Sequence, residues 1–316
     1  MHSKRLGSQW GLDNLWLKNE TASLSGSFKD RGALVAIRDA QHQGYKTIVT
    51  ASSGNAGAAI AAHAARAGLH AVILVDPQVP LGKLRQIQAY GAEVRVIEGL
   101  FDQPSERFIQ LLRALAESER AYLAFFWEPV NPTILQGFEL IAEEIVHQLG
   151  HAPDVVLIPT GGGDHLVAQG RAYLRLWHQG RISHVPQLIA VQPANSCPLV
   201  DAVVQGLNVV PYRANPQTTA SGLRVAFSGD HALRMIQRSE GTKHRRHMAI
   251  TVSEKAITEA RDLLARQEGL WIEASGVAAL AAIPDLLSSH LLDPHACIVS
   301  PLTGAGWKDD GIPDRP

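Results

Sequence analysis

Residues 47–68 read TIVTASSGNAGAAIAAHAARAG: a β-branched run, a Ser-Ser-Gly-Asn turn, and an alanine-rich segment that ends at a glycine. The β-branched run predicts a buried strand, and the alanine-rich segment before Gly68 predicts a helix. A strand followed by a short turn and a helix is the repeating unit of parallel sheets, whose crossovers are right-handed. This stretch therefore indicates an α/β fold.

The same alternation extends along the chain in two series. Further strands are expected in short apolar runs at 71–75, 94–97, 122–126, 155–158, 188–191, 248–251 and 298–299, and further helices at 81–90, 108–119, 253–267 and 275–287. The sequence thus predicts an α/β protein of two domains, each a mostly parallel sheet flanked by helices. With a boundary near Pro129–Pro132, the smaller domain is expected at 21–131 and the larger at 1–20 plus 132–316.

Composition narrows the classes of function. The chain has 316 residues, 46% of them hydrophobic, and a net charge of −1, so it has no electrostatic attraction to nucleic acid or anionic lipid. Its two cysteines, Cys197 and Cys297, favour neither a disulfide framework nor a thiolate metal site. Basic neighbours make His244 and His247 better candidates for exposed histidines than for metal ligands. We expect a cytoplasmic protein that holds no metal and binds neither nucleic acid nor a membrane.

A glycine-rich loop, Thr160-Gly161-Gly162-Gly163-Asp164-His165, stands between an expected strand and an expected helix. Consecutive glycines lose much conformational entropy on folding, which is understandable where the backbone wraps closely around a phosphate. Leu166 stands where a dinucleotide fingerprint requires its third glycine, and no nucleoside-triphosphate loop is present. The loop therefore favours a single phosphate group, with an ordinary capping turn as the alternative.

Three other junctions carry polar side chains. Lys29 follows Ser27, a possible N-cap, and a cation in the first helical turn opposes the helix dipole unless it has another role. Asn55 opens the helix after the Ser-Ser-Gly turn, where backbone N–H groups favour an anion. Thr303 follows the last expected strand and precedes a loop with two glycines. Taken alone, Lys29 is more typical of an ordinary surface lysine. The other two features, each on its own, fit simple turns.

Taken in order, these four segments resemble the fold type II pyridoxal-phosphate (PLP) enzymes, the family of threonine synthase, the threonine and serine ammonia-lyases and the tryptophan synthase β chain. The resemblance extends from Leu15 to Asp309. It implies PLP in an interdomain cleft, with Lys29 as the Schiff-base lysine. It also implies that Asn55 binds the cofactor's phenolic oxygen and Thr303 its pyridine nitrogen. The substrate carboxylate is expected at Ser52, Ser53 and Gly54. The cofactor's phosphate is expected at Gly161, Gly162, Gly163, Asp164 and His165.

Within that family, Phe28–Gly32 and Thr303–Asp309 look most like threonine synthase. The resemblance implies a homodimeric lyase that converts O-phosphohomoserine to threonine and phosphate. Ile134 and Glu139 stand where many threonine synthases carry cations, and Lys83 and Arg224 are the available replacements.

Two alternatives stay open at this point. A threonine or serine ammonia-lyase is favoured by Thr219–Leu223, which is similar to a stretch of those enzymes. A catalytically silent PLP-binding protein would fit the lack of the family's N-terminal Thr-Pro-Leu segment.

Overall fold

The structure is a computed structural model that describes residues 1–52, 54–77, 79–100, 105–242 and 245–309. It divides into two compact units. The larger unit contains Met1–Glu20 and Phe138–Thr303, and the smaller unit contains Thr21–Gly137 and the segment from Gly304 onward. No helix in the described ranges is both long and apolar enough to cross a bilayer.

The strands are β1 (Leu15–Asn19), β2 (Thr47–Ala51), β3 (His70–Val75), β4 (Glu93–Val96), β5 (Tyr122–Leu123), β6 (Val155–Pro159), β7 (Gln187–Pro193), β8 (Met248–Val252) and β9 (Ile298–Leu302). The helices are α1 (Lys4–Trp10), α2 (Lys29–His42), α3 (Asn55–Ala67), α4 (Leu81–Ala89), α5 (Ser105–Ser118), α6 (Leu135–Leu149), α7 (Asp164–His178), α8 (Pro198–Val204), α9 (Asp230–Gln237), α10 (Glu254–Glu268), α11 (Ala274–Val277) and α12 (Ile283–Ser288).

The smaller unit is built on a parallel sheet with strand order β4-β3-β2-β5. Its central strands are apolar because both of their faces are buried, and Val49, Val72 and Leu74 pack with Phe108 and Leu112 of α5. The turn between β2 and α3 therefore lies at the carboxyl end of a central strand, where open parallel sheets bind ligands.

The larger unit contains a second parallel sheet, with strand order β1-β9-β6-β7-β8. The loop 160–163 follows β6 and Thr303 follows β9, so both lie at the carboxyl edge of this sheet. The predicted α/β class with parallel sheets is confirmed. Strand β1 is missing from the predicted strands because it is a short edge strand with polar residues at its end.

Two predictions about helices were wrong. Ser27 does not cap α2: the N-cap is Phe28, without a side-chain capping bond, because Ser27 forms an antiparallel bridge with Gly304. The single helix expected at 275–287 is broken into α11, a 3₁₀ turn at Leu280–Ala282 and α12. Pro284 has no backbone N–H and is favoured in the first turn of a helix, and it stands there in α12 as the second residue.

The division into units differs from the expected domain limits at two places. The division falls inside α6, after Gly137. A Cβ atom at Gly137 would collide with the carbonyl of Arg31, so the first turn of α6 packs against α2 of the smaller unit. The segment from Gly304 also belongs to the smaller unit, since Ala305 N donates to Gly26 O at 2.9 Å.

His247 is buried and not exposed as expected, whereas His244 lies outside the described residues. Its Nδ1 accepts a hydrogen bond from Leu188 N at 3.1 Å, which ties the start of β8 to β7. Burial lowers the pKa of His247 from its ordinary 6.5 to about 4. The ring is therefore neutral in the folded chain at neutral pH.

We expect this histidine to make the larger unit sensitive to acid. Because the folded pKa lies below the unfolded one, the stability from neutral His247 is complete above pH 6.5 and is lost as the pH falls toward about 4. The asparagine of His247→Asn keeps an acceptor but does not titrate. Acidification should therefore lower the free energy of unfolding by about 2–3 kcal/mol less in this variant than in the wild type. Urea unfolding at neutral and acid pH measures this, with His295→Asn, whose side chain is 80% exposed, as control. An unchanged pH dependence in His247→Asn would exclude His247 as the cause.

Candidate active site

Lys29 is the first residue of α2 in the smaller unit, and its amine lies beside two aromatic rings. Its Nζ is 4.8 Å from the ring centroid of Phe28 and 4.9 Å from that of Phe126. Ring faces attract a cation and exclude water on their side. The sequence identified Lys29 but not Phe126, which follows the end of the short strand β5.

The carboxylate next to Lys29 holds the loop that precedes α2. Asp30 Oδ2 accepts hydrogen bonds from Ser25 N at 2.8 Å and from Ser25 Oγ at 2.9 Å, and Asp30 Oδ1 lies 3.0 Å from His63 Nε2. Burial raises the pKa of Asp30, but hydrogen bonds from His63, Ser23 and Ser25 outweigh it and leave the pKa below its usual range. Asp30 therefore stays ionised and fixes the entry to α2.

The turn after β2 leads directly into α3, whose first residue is Asn55. The side chain of Asn55 is buried at this helix start, and Ser52 Oγ accepts a hydrogen bond from Gly54 N at 3.1 Å. Ser53 lies outside the described residues. The turn thus combines an amide side chain, a hydroxyl and the positive end of a helix dipole, which together suit an anionic ligand.

Lys83 of α4 lies beside the same turn. Its side chain is fully buried, and its Cδ lies 4.0 Å from the position that a Cβ atom would take at Gly54. Its Nζ is 3.5 Å from Asp309 Oδ1. The structure therefore brings the side chain of one of the two predicted replacement cations next to Gly54.

In the larger unit, the four carbonyls of the glycine loop 160–163 are all engaged by neighbouring residues. The bonds are Gln192 Nε2 to Thr160 O at 3.1 Å, Ser228 Oγ to Gly161 O at 2.7 Å, Gly229 N to Gly162 O at 2.9 Å and Val167 N to Gly163 O at 3.0 Å. Within the described ranges, the N–H groups of Gly161, Gly162 and Gly163 donate no hydrogen bond. They lie at the start of α7, so the loop has the donors and the helix dipole that bind a phosphate.

Gly163 is required by the backbone itself. Its φ is +107°, and a Cβ atom there would collide with the side chain of Ala232 in α9. The close approach of α9 brings His231 next to Asp164, the first residue of α7, with Nε2 3.1 Å from Oδ1 and both residues buried. The Asp164 carboxylate is thereby paired with a histidine at the loop where an anion would bind.

We expect this buried pair to be important for stability. His231→Leu leaves the Asp164 carboxylate without its imidazole partner, which should lower the free energy of unfolding by about 2–3 kcal/mol. In His231→Leu/Asp164→Asn the buried charge is absent, so part of that loss should be recovered. Chemical denaturation of the four proteins of this double-mutant cycle measures the coupling. Additive losses would show that the two side chains act independently.

His165 and Thr303 are also buried in the larger unit. The His165 Nε2 lies 2.8 Å from Gln169 Nε2, one helical turn further along α7, so the amide donates and the ring accepts. Thr303 follows β9, and within the described ranges its hydroxyl makes no hydrogen bond to protein. That hydroxyl is available to a ligand as a neutral donor or acceptor.

Comparison with known proteins identifies the class. Residues 1–304 match the family of pyridoxal-phosphate dependent enzymes, and the chain belongs to that family. It is 33% identical to the threonine synthase of Methanocaldococcus jannaschii over 309 residues, 96% of this chain and 73% of that protein. It is 34% identical to the threonine synthase of Synechocystis sp. over 310 residues, 97% and 74% of the two chains.

Among solved structures, the chain is similar to a threonine deaminase from T.th., with a TM-score of 0.78 and 26% identity over 99% of this chain and 93% of that one. The predicted resemblance to fold type II PLP enzymes is therefore confirmed, as is the prediction of a PLP-dependent lyase.

Proposed function

We propose that this protein is a PLP-dependent carbon–oxygen lyase that converts O-phosphohomoserine and water to threonine and phosphate. The observation that carries the proposal is the identity of 33% to a threonine synthase along 96% of the chain. The motifs Phe28–Gly32 and Thr303–Asp309 support the same activity.

The donors in the two units fit the cofactor. PLP needs an amine for its aldehyde and N–H donors for its phosphate, and when bound it supplies an electron sink for the substrate's α-carbon. Lys29 Nζ would hold the aldehyde, and the same amine would move the proton at the α-carbon of the substrate. Asn55 would bind the phenolic oxygen, and the hydroxyl of Thr303 would serve the ring nitrogen as a neutral partner.

The loop 161–165 binds the cofactor's phosphate in this proposal. Gly161, Gly162 and Gly163 donate their N–H groups, and the first turn of α7, with Asp164 and His165, adds its helix dipole. Support comes from the hydrogen bonds of the glycine loop. Gln192, Ser228 and Gly229 engage its carbonyls, whereas the N–H groups of its three glycines donate no bond in the part of the chain that the structure describes.

The substrate has two anionic groups. Ser52, Ser53 and Gly54 bind the carboxylate, and the phosphate dianion needs a cation in a desolvated site. The two positions at which many threonine synthases carry cations hold none here. Ile134 is buried in the core, and Glu139 Oε2 accepts from Arg175 Nη1 at 2.5 Å. Lys83, beside Gly54, and Arg224 are the replacements.

A kinetic comparison distinguishes these two cations. Removing the cation that meets the dianion should raise KM for O-phosphohomoserine by about tenfold or more, because a charged hydrogen bond is worth about 1.5–3 kcal/mol. We expect this of Lys83→Met, with a smaller effect of Arg224→Ala, and with PLP affinity unchanged in both. The reverse order would assign the role to Arg224, and unchanged KM in both would remove both residues from the substrate site.

A second candidate, a threonine or serine ammonia-lyase, is favoured by the similarity of 26% identity and TM-score 0.78 to a threonine deaminase. The test is to offer the PLP-loaded protein O-phosphohomoserine, threonine and serine in parallel and to measure phosphate and ammonia. Phosphate with threonine supports the first proposal, and ammonia with a 2-oxo acid supports the second. Release of neither, with PLP bound, would leave a catalytically silent PLP-binding protein.

A homodimer in the cytoplasm completes the proposal. The dimer is supported by the family resemblance, and the cytoplasmic location is supported by the two cysteines, which are both free and buried. Light scattering of the purified protein tests the dimer, and cell fractionation tests the compartment.

A further inference from the structure

The segment Gly304–Asp309 packs against the loop that precedes Lys29, although the two are almost 280 positions apart in the sequence. Gly304 forms a bridge with Ser27, and Ala305 N donates to Gly26 O at 2.9 Å. Gly26 has a φ of +80°, and a Cβ atom there would lie 2.6 Å from Trp307 Cζ2. The C-terminal segment thus covers the Ser25–Ser27 loop closely within the smaller unit.

Lys308 makes the charged contact in this packing. It is 1% exposed, and its Nζ donates to Ser25 O at 2.7 Å. Gln86 Nε2 of α4 donates to the same carbonyl oxygen at 3.0 Å. A hydrogen bond from a buried ammonium is short and strong compared with one between neutral groups.

Ser25 is therefore held at both of its backbone polar groups. Lys308 and Gln86 hold the carbonyl, whereas Asp30 accepts from the N–H and the hydroxyl. This matters for Lys29 because the N-cap of α2 is Phe28, which has no side-chain capping bond. Contacts such as these with Ser25 and Asp30 hold the loop that leads into α2 instead.

We propose that Lys308 is a positioning residue for Lys29: it fixes the Ser25 carbonyl so that α2 begins in the orientation that presents the Lys29 amine. The inference rests on the role proposed above for Lys29. Misplacement of a reacting group by about 1 Å can lower a rate by about 10²-fold, so loss of this contact should affect the reaction step more than substrate binding.

The test is the full-length variant Lys308→Met, which keeps the length of the side chain but removes the donor. In the PLP-loaded enzyme, kcat should fall by about tenfold or more and KM should stay within about twofold. In the apoprotein, amide exchange of residues 22–30 should accelerate by about tenfold, with exchange in β6 and α7 unchanged. Attachment of PLP to Lys29, trapped with borohydride, should be slower by a similar factor.

Two further variants serve as controls. Lys255→Met, at a side chain that is 84% exposed, should behave like the wild type. Gln86→Met removes the neutral donor from the same carbonyl and should have smaller effects in the same direction. Wild-type exchange at 22–30 in Lys308→Met, or equal acceleration in both units, would overturn the proposal.

If Lys308→Met does not fold, Gln86→Met decides: accelerated exchange at 22–30 supports the proposal, and wild-type exchange overturns it. If wild-type protein does not convert O-phosphohomoserine, the proposed function fails. The exchange and PLP-attachment measurements then still test the role of Lys308, because neither uses that substrate.

Discussion

Replacing Lys29 by alanine lowers kcat by at least about 10³-fold, since the same amine is expected to hold the cofactor and to move the α-proton. PLP should still bind without a covalent bond, because the loop 161–165, which is proposed to hold its phosphate, is unchanged. The measurement is threonine and phosphate release under saturating PLP, together with the visible absorbance of the protein.

Lys46→Ala provides a matched control, since Lys46 is an exposed lysine of the same unit. It should leave both the spectrum and the turnover unchanged. If Lys29→Ala kept activity within about tenfold of the wild type, another group would have to move the proton and the assignment of Lys29 would be wrong.

Substitution of Gly162 by valine should raise the Kd for PLP by about 10–100-fold, the loss expected from one charge-assisted hydrogen bond at about 1.5–3 kcal/mol. Gly162 does not have a positive φ, so its backbone accepts an L side chain without the strain that Gly163 would suffer. The added isopropyl group occupies space at the centre of the loop whose N–H groups are proposed to hold the phosphate.

The Kd is measured by titrating the apoprotein with PLP, and a thermal melt of the apoprotein reports whether the loop itself is damaged. Thr258→Val, on an exposed position of α10, adds a similar side chain away from the loop and should leave the Kd unchanged. A Gly162→Val protein with wild-type affinity for PLP would contradict the placement of the phosphate.

Local features of the sequence account for most of the correctly predicted fold. Strands such as β2 and β6 are short β-branched runs, and helices such as α3 end at a glycine with a φ near +70° that the residue type anticipates. The segments after β2, β6 and β9 could be named in advance because open parallel sheets bind ligands at the carboxyl ends of their strands.

Contacts between distant parts of the chain could not be predicted from the residues around each segment. Nothing near Gly161 shows that Ser228 and Gln192 take up the loop carbonyls, and nothing near Ser27 shows that Gly304 pairs with it. His231 reaches Asp164 only because α9 packs against the loop at Gly163. A capping propensity such as that of Ser27 is weak, and a tertiary contact overrides it.

The most direct test of the active-site assignment is to reduce the PLP-loaded wild-type protein with borohydride, digest it and locate the modified lysine by mass spectrometry. The expected result is one equivalent of PLP per chain on Lys29. Modification of a different lysine, or a protein that carries no reducible PLP, would contradict the assignment.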